Sequence, residues 1–264
     1  MKLPSRHQTR RRLLKEQVDF NDGQSALSQW FESPAGNAVL RAEKQLITPY
    51  LSRMFGYHIL QLGCSSQHSL IADSPVGHKV IFAPEFASGS GLPVADNEQL
   101  PLANDSIDVV LLHHALDFTR DSHTLLREAT RVLRPGGQLL IIGFNPLSLW
   151  GLKKILKIKS EVPWNGRFIS HHRVSDWLKL LELHVEKVEY GLHFLPSRWR
   201  TALASSGELA DINARFRSPF GGAYLVISTK QVLPITPILP KWRPLRPRAT
   251  VLPAAENVRI KKLH

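Results

Sequence analysis

V-A-D-N-E-Q-L-P-L-A-N-D-S-I-D-V-V-L-L-H-H-A-L (Val94–Leu116) is followed, after eight residues, by L-L-R-E-A-T-R-V-L-R-P-G-G-Q-L-L-I-I-G (Leu125–Gly143). Two short apolar runs, Val109–Leu112 and Leu139–Ile142, have the length and β-branched content of buried strands. Between them a helix is expected over Ser122–Leu133, ended by Pro135-Gly136-Gly137, a stop and turn signal.

Working outward, the same alternation continues. Val39, Leu40, Leu46 and Ile47 recur at helical spacing within Gly36–Met54, and His58–Leu62 reads as a strand. A short, poorly defined helix and a second strand, Lys79–Phe82, come next. Beyond Gly143, a helix over His172–Leu181 carries Val174, Trp177, Leu178 and Leu181 on one face. Strands at Val185–Tyr190 and Ala223–Thr229 complete the order. Strands alternating with helices predict an α/β, doubly wound, mostly parallel sheet with helices on both faces.

At 264 residues and 43% hydrophobic content, one good core suffices. No apolar run reaches the length of a bilayer span, and the N-terminus lacks a secretory h-region. Cys64 is the single cysteine, which excludes an intramolecular disulfide and fits a cytoplasmic setting. The net charge of +12 is concentrated at the ends. Lys2, Arg6, Arg10, Arg11, Arg12 and Lys15 stand in an acid-free opening. After Gln231 seven cations face only Glu256. The body between is neutral. Residues 1–27 and the Pro-rich 232–264 are expected to be disordered arms, either solubilising or attractive to nucleic acid and other polyanions. The folded part is expected over 28–231, with a helical cap at 28–56 and a core at 57–231.

The motifs around Asp96 and Asp108 resemble those of the class I S-adenosylmethionine-dependent methyltransferases. Asp96-x-x-x-Leu100-Pro101, Asp105-Ser106-Ile107-Asp108 and Leu133-x-Pro135-Gly136-Gly137 carry the resemblance at matching intervals. It spans about Tyr57–Thr229. It implies a Rossmann-like methyltransferase sheet with an antiparallel edge, S-adenosylmethionine as cofactor, and methyl transfer to an acceptor that no motif specifies. It further implies that Asp96 accepts from the adenine amine, with Asn97 facing the ring through its backbone.

The loop after the first strand, Gln61-Leu62-Gly63-Cys64-Ser65-Ser66-Gln67, departs from that pattern. The resemblance calls for an acid at Gln61 and glycines at Ser65 and Gln67; only Gly63 remains. The same departure argues against a dinucleotide-binding G-x-G-x-x-G loop. Glu85, 22 residues after Gly63, has the spacing of a ribose ligand, with a solvated loop carboxylate as the alternative. His113 and His114 end the Val109–Leu112 strand. His113 is expected in the cofactor shell, and His114 either packs at the rim or serves as a base. No metal ligand set is evident, since His171-His172 has no convergent partners in the sequence. Trp150–Lys159 interleaves apolar residues with four lysines. It is expected to bury its apolar stripe as a cap helix over a pocket, the alternative being a surface that meets a membrane or an acidic partner. Asn145-Pro146 reads as a turn. The degraded loop leaves a second reading: a catalytically silent relative that acts as a nucleic-acid-binding or adaptor protein through its basic arms.

Overall fold

The structure, a computed structural model, describes residues 23, 26–63, 68–82, 95–96, 99–156, 162–193 and 218–231. Glu85, Asn97, the loop 64–67, Lys157, Lys159 and both basic arms apart from these stretches lie outside the described residues. Contacts divide the chain into Met1–Val232 and Leu233–His264, and every described residue belongs to the first unit.

The described elements run α1 (Pro34–Leu51), β1 (His58–Gly63), β2 (His78–Ile81), β3 (Ile107–His113), α2 (Ser122–Val132), β4 (Leu133–Phe144), α3 (Leu149–Leu156), α4 (His171–Leu180), β5 (Leu183–Gly191) and β6 (Ala223–Lys230). Helical backbone also covers residues 26–32, where Leu27 is fully buried, so ordered packing starts inside the expected N-terminal arm. The sheet order is β2-β1-β3-β4-β6-β5. β1 through β4 are parallel, and β6 is antiparallel to both β4 and β5. The antiparallel strand therefore sits one place in from the edge formed by β5. Of the stretch where a short helix is expected, residues 68–77 contain none, and 64–67 lie outside the described residues.

Strand alternation divides two cores. Ile59, Val109, Leu111, Leu140, Ile142 and Leu225 face α1, Phe31 and Trp150. Leu60, Leu62, Val110, Leu112, Ile141 and Val226 face α2 and α4. Because both faces are covered, the strands read as unbroken apolar runs rather than alternating ones.

Helices α1 to α4 each start on a side-chain cap. The Gly36 N–H donates to Ser33 Oγ at 3.1 Å ahead of Pro34 at the start of α1. The His123 and Thr124 N–H groups donate to Asp121 Oδ1 at 2.9 and 3.2 Å. Such caps stabilise by about 0.5–2 kcal/mol each.

Pro135-Gly136-Gly137 does end α2, but it does not separate helix from strand by a turn. β4 begins at Leu133, which pairs with Ile107; pairing then resumes at Gln138 opposite Val109, and the intervening residues bulge out. Gly136 has φ +79°, and a Cβ on Gly137 would lie 2.8 Å from the Asp108 carbonyl oxygen. Both positions therefore require glycine. Asp108 ties this end together. Its Oδ2 accepts from the Tyr57 and His58 N–H groups at 2.8 and 2.9 Å, while Oδ1 accepts from Arg134 at 3.0 Å.

Candidate active site

The sheet reverses strand order between β1 and β3, and ligand sites of doubly wound sheets open beyond strand C-termini at that point. Gly63 and His113 are register partners there. A Cβ on Gly63 would meet the His113 carbonyl oxygen at 2.3 Å, so strand approach alone fixes glycine at this position. The structure brings these two expected site residues together. Asp96 is exposed, in an isolated bridge with Gln99, between the buried anchors Ala95 and Leu100.

Gln61, where the resemblance calls for an acid, is buried and works as a clamp. Its Nε2 donates to the His68 carbonyl at 3.0 Å, and its Oε1 accepts from the Leu70 N–H at 2.9 Å. A carboxylate could accept but not donate. Gln61→Glu is therefore expected to lower unfolding free energy by about 1–3 kcal/mol, read as a lower urea midpoint. An unchanged midpoint would remove the clamp role.

Beside His113 lies a four-residue polar chain, fully buried. The α1 residue Glu43 shares its carboxylate between two imidazoles, with Oε2 2.9 Å from His113 Nε2 and Oε1 2.8 Å from His114 Nε2. His114 Nδ1 lies 2.9 Å from Asp117 Oδ2, which also accepts from the Phe144 N–H at 3.0 Å. His114 adopts φ +52°, a left-handed conformation that turns two consecutive imidazoles onto one carboxylate. A non-glycine residue held there stores on the order of 1–3 kcal/mol of strain. Phe31 stacks on His113 at 5.4 Å and Phe144 on His114 at 3.9 Å, which seals the chain from water.

The electrostatics follow from this arrangement. Burial works to raise Glu43, but the His114 charge and hydrogen bonds from both rings outweigh it and bring its pKa down to about 2. Burial works to lower His114, yet the Glu43 charge and hydrogen bonds to Asp117 and Glu43 lift it to about 9. Burial holds His113 below its ordinary value despite Glu43, and holds Asp117 above its own despite His114. His114 is thus an imidazolium at neutral pH and His113 a neutral imidazole. The Glu43, His113 and His114 donor atoms lie within 4.8 Å of one another, close enough to converge on a cation. Direct hydrogen bonds already join them.

Linkage gives these shifts a stability consequence. The folded His114 pKa of about 9 exceeds the ordinary 6.5, so its contribution is complete below pH 6.5 and lost as pH rises through 9. Asp117, raised above 3.8, acts in the same direction. Glu43 stabilises above pH 4.5 and loses that contribution as pH falls toward 2; His113 weakens the fold below pH 6.5. Melting temperature is expected to fall between pH 6.5 and 9.5, by an amount on the order of 10 °C. A flat alkaline profile would contradict the ion pair.

Sequence reasoning located His113 but not the chain it belongs to. His114, expected either to pack at the rim or to serve as a base, is fully buried, with one ring nitrogen on Glu43 and the other on Asp117. Glu43 stands on the apolar stripe of α1, with Val39 one turn before it and Ile47 one turn after. That misplaced acid was the available signal. The cap-helix expectation for Trp150–Lys159 is also corrected. Trp150 and Gly151 are buried, but Leu152, Ile155 and Leu156 are exposed. Asn145 does more than turn. Its amide donates to the Pro219 and Gly221 carbonyls at 3.0 and 2.9 Å and fixes the loop ahead of β6.

A family model described as a methyltransferase domain matches residues 60–141. The chain is 35% identical over 211 residues to the uncharacterized protein YafS of Escherichia coli (strain K12), covering 78% of this chain and 82% of that protein. It is 29% identical over 129 residues to a malonyl-[acyl-carrier protein] O-methyltransferase of Methylococcus capsulatus, covering 49% of this chain but under half, 46%, of that relative. Among solved structures, a Thermotoga maritima S-adenosylmethionine-dependent methyltransferase described as a possible histamine N-methyltransferase superposes with TM-score 0.58 at 21% identity. That match covers 77% of this chain and 93% of the other.

Proposed function

The chain belongs to the class I S-adenosylmethionine-dependent methyltransferases, and from that premise we propose that His113 is the base for methyl transfer, set by the chain Asp117–His114–Glu43. The cofactor reading is supported by Gly63, which ends β1 where strand order reverses, and by Asp96, which is exposed. Gly63, Asp96 and, from the sequence pattern, Glu85 and Asn97 would hold it, with the backbone of His113, not its ring, in its shell. When bound, the sulfonium supplies a methyl carbon and departs as a thioether.

The observation that carries the reading is the fully buried carboxylate of Glu43 shared by two imidazoles, at 2.9 Å from His113 Nε2 and 2.8 Å from His114 Nε2. Glu43 accepts from His113 Nε2–H and thereby sets the tautomer whose Nδ1, buried with the ring beneath Phe31, takes a proton from an acceptor O–H, N–H or acidic C–H once the Phe31 ring moves aside. As the His113 ring becomes cationic, the Glu43 carboxylate stabilises it. The His114 imidazolium keeps Glu43 ionised in the meantime, and Asp117 orients His114. His114 and Asp117 are positioning residues. This division of labour follows the logic of hydrolytic triads, in which a buried carboxylate orients an imidazole.

The test is incubation of the full chain with S-adenosylmethionine labelled in its methyl carbon and a cell extract depleted of this protein. Label is expected in an extractable product, rising with pH through the lowered His113 pKa. No transfer by a chain that binds cofactor would overturn the proposal and favour the silent-adaptor reading.

A further inference from the structure

Two surface features outside the active site adjoin each other. The first is an apolar groove of about 410 Å³ along α3, lined by Leu147, Leu149, Leu152, Ile155 and Phe220. These five side chains are between 51% and 79% exposed, and Leu156 beside them is 71% exposed. That is a contiguous apolar face of the kind that marks an interaction surface. The second is a cleft of about 420 Å³ lined by Arg120, Arg167, Arg173 and His123. Pro146 lines both. The cleft's one acidic wall residue, Asp121, is engaged in capping α2 through the His123 and Thr124 N–H groups.

From Ser148 to Ser160 the sequence has four lysines and no acid. Lys154 turns inward, its Nζ donating to the Trp164 carbonyl at 2.6 Å and to the Gly166 carbonyl. Lys153 lies over the Trp164 ring at 3.9 Å. Inward-turned lysine stems leave the outer face of α3 to its leucines and isoleucine. A short helix with an apolar outer face and an arginine-lined cleft at its base has the chemistry of an element that lies in a membrane interface.

We propose that this face docks on an anionic phospholipid bilayer: Leu149, Leu152, Ile155, Leu156 and Phe220 enter the headgroup–acyl boundary, and Arg120, Arg167 and Arg173 engage lipid phosphates. Charge complementarity selects this occupant over a second copy of the chain. Two copies facing each other through this surface would bring like-charged arginine clefts together. The inference stands apart from the methyl-transfer reading, because it uses none of the active-site residues.

The experiment is flotation of the full chain with vesicles of phosphatidylcholine alone or mixed with phosphatidylglycerol. Wild type is expected to float with the mixed vesicles. Leu152→Ser with Ile155→Ser is expected to weaken that binding about tenfold or more, with both basic arms intact. Leu152→Asp with Ile155→Asp should weaken it further. Arg120→Gln with Arg173→Gln should weaken binding to the mixed vesicles, the dependence on phosphatidylglycerol that remains being that of the basic arms. All replaced apolar side chains are exposed, so unfolding curves of the serine variant should superimpose on wild type. Binding by the variants equal to wild type would mean the arms alone are responsible, and would overturn the proposal. Absence of wild-type binding to either vesicle would overturn it too. So would a wild-type dimer that the serine pair dissociates, which would assign the face to a second copy.

Discussion

Replacing Glu43 with leucine is expected to destabilise the protein by about 3–5 kcal/mol and to abolish methyl transfer. The side chain is fully buried and accepts from two imidazoles at 2.8 and 2.9 Å. Removing it leaves the His114 imidazolium with Asp117 as its remaining carboxylate partner and takes from His113 the group that fixes its tautomer. The leucine fits the apolar stripe of α1, so the loss does not come from packing. The alkaline decline in melting temperature should shrink at the same time, because the Glu43 charge is the largest influence raising His114 to about 9. Glu43→Gln separates charge from shape. One imidazole keeps its acceptor while the other faces an amide N–H, so an intermediate loss is expected. Chemical denaturation at pH 7 reads both variants. A leucine variant as stable as wild type would mean the buried chain is not held by ion pairing.

The second large effect falls on catalysis rather than stability. His113→Asn is expected to slow methyl transfer by about 10²–10⁴-fold, the range lost with a positioned general base. Affinity for S-adenosylhomocysteine should hold, because the backbone approach between Gly63 and His113 does not depend on the ring. The rising limb of the pH–rate profile, set by the lowered His113 pKa, should disappear with the imidazole. Transfer at the wild-type rate would remove His113 from the chemistry. Loss of cofactor affinity in parallel with rate would make it a shell contact instead.

Strand positions in this fold were legible in the sequence because parallel strands covered on both faces are apolar throughout. β1, β3 and β6 begin or end within two residues of where the apolar runs place them. Pro135-Gly136-Gly137 was legible as a helix stop but not as a bulge. The same glycines serve a turn and a looped-out strand, and only the pairing of Leu133 with Ile107 distinguishes them. Periodicity showed an amphipathic α3 without saying whether its apolar side meets protein or something else. The buried polar chain was hidden for a different reason. Glu43 and His113 are 70 residues apart, and the left-handed turn at His114 that joins them has no glycine to announce it. Gln61 stood out as a departure from a motif, while its role as a clamp depends on the paths of His68 and Leu70.

The most direct test of cofactor use at this switch point is a calorimetric titration of the full chain with S-adenosylhomocysteine, repeated on Asp96→Ala. Micromolar binding by wild type, weakened about tenfold or more in the variant, is the expected result. An absence of heat at millimolar ligand would contradict it, and the loop after Gly63 would then not be a cofactor loop.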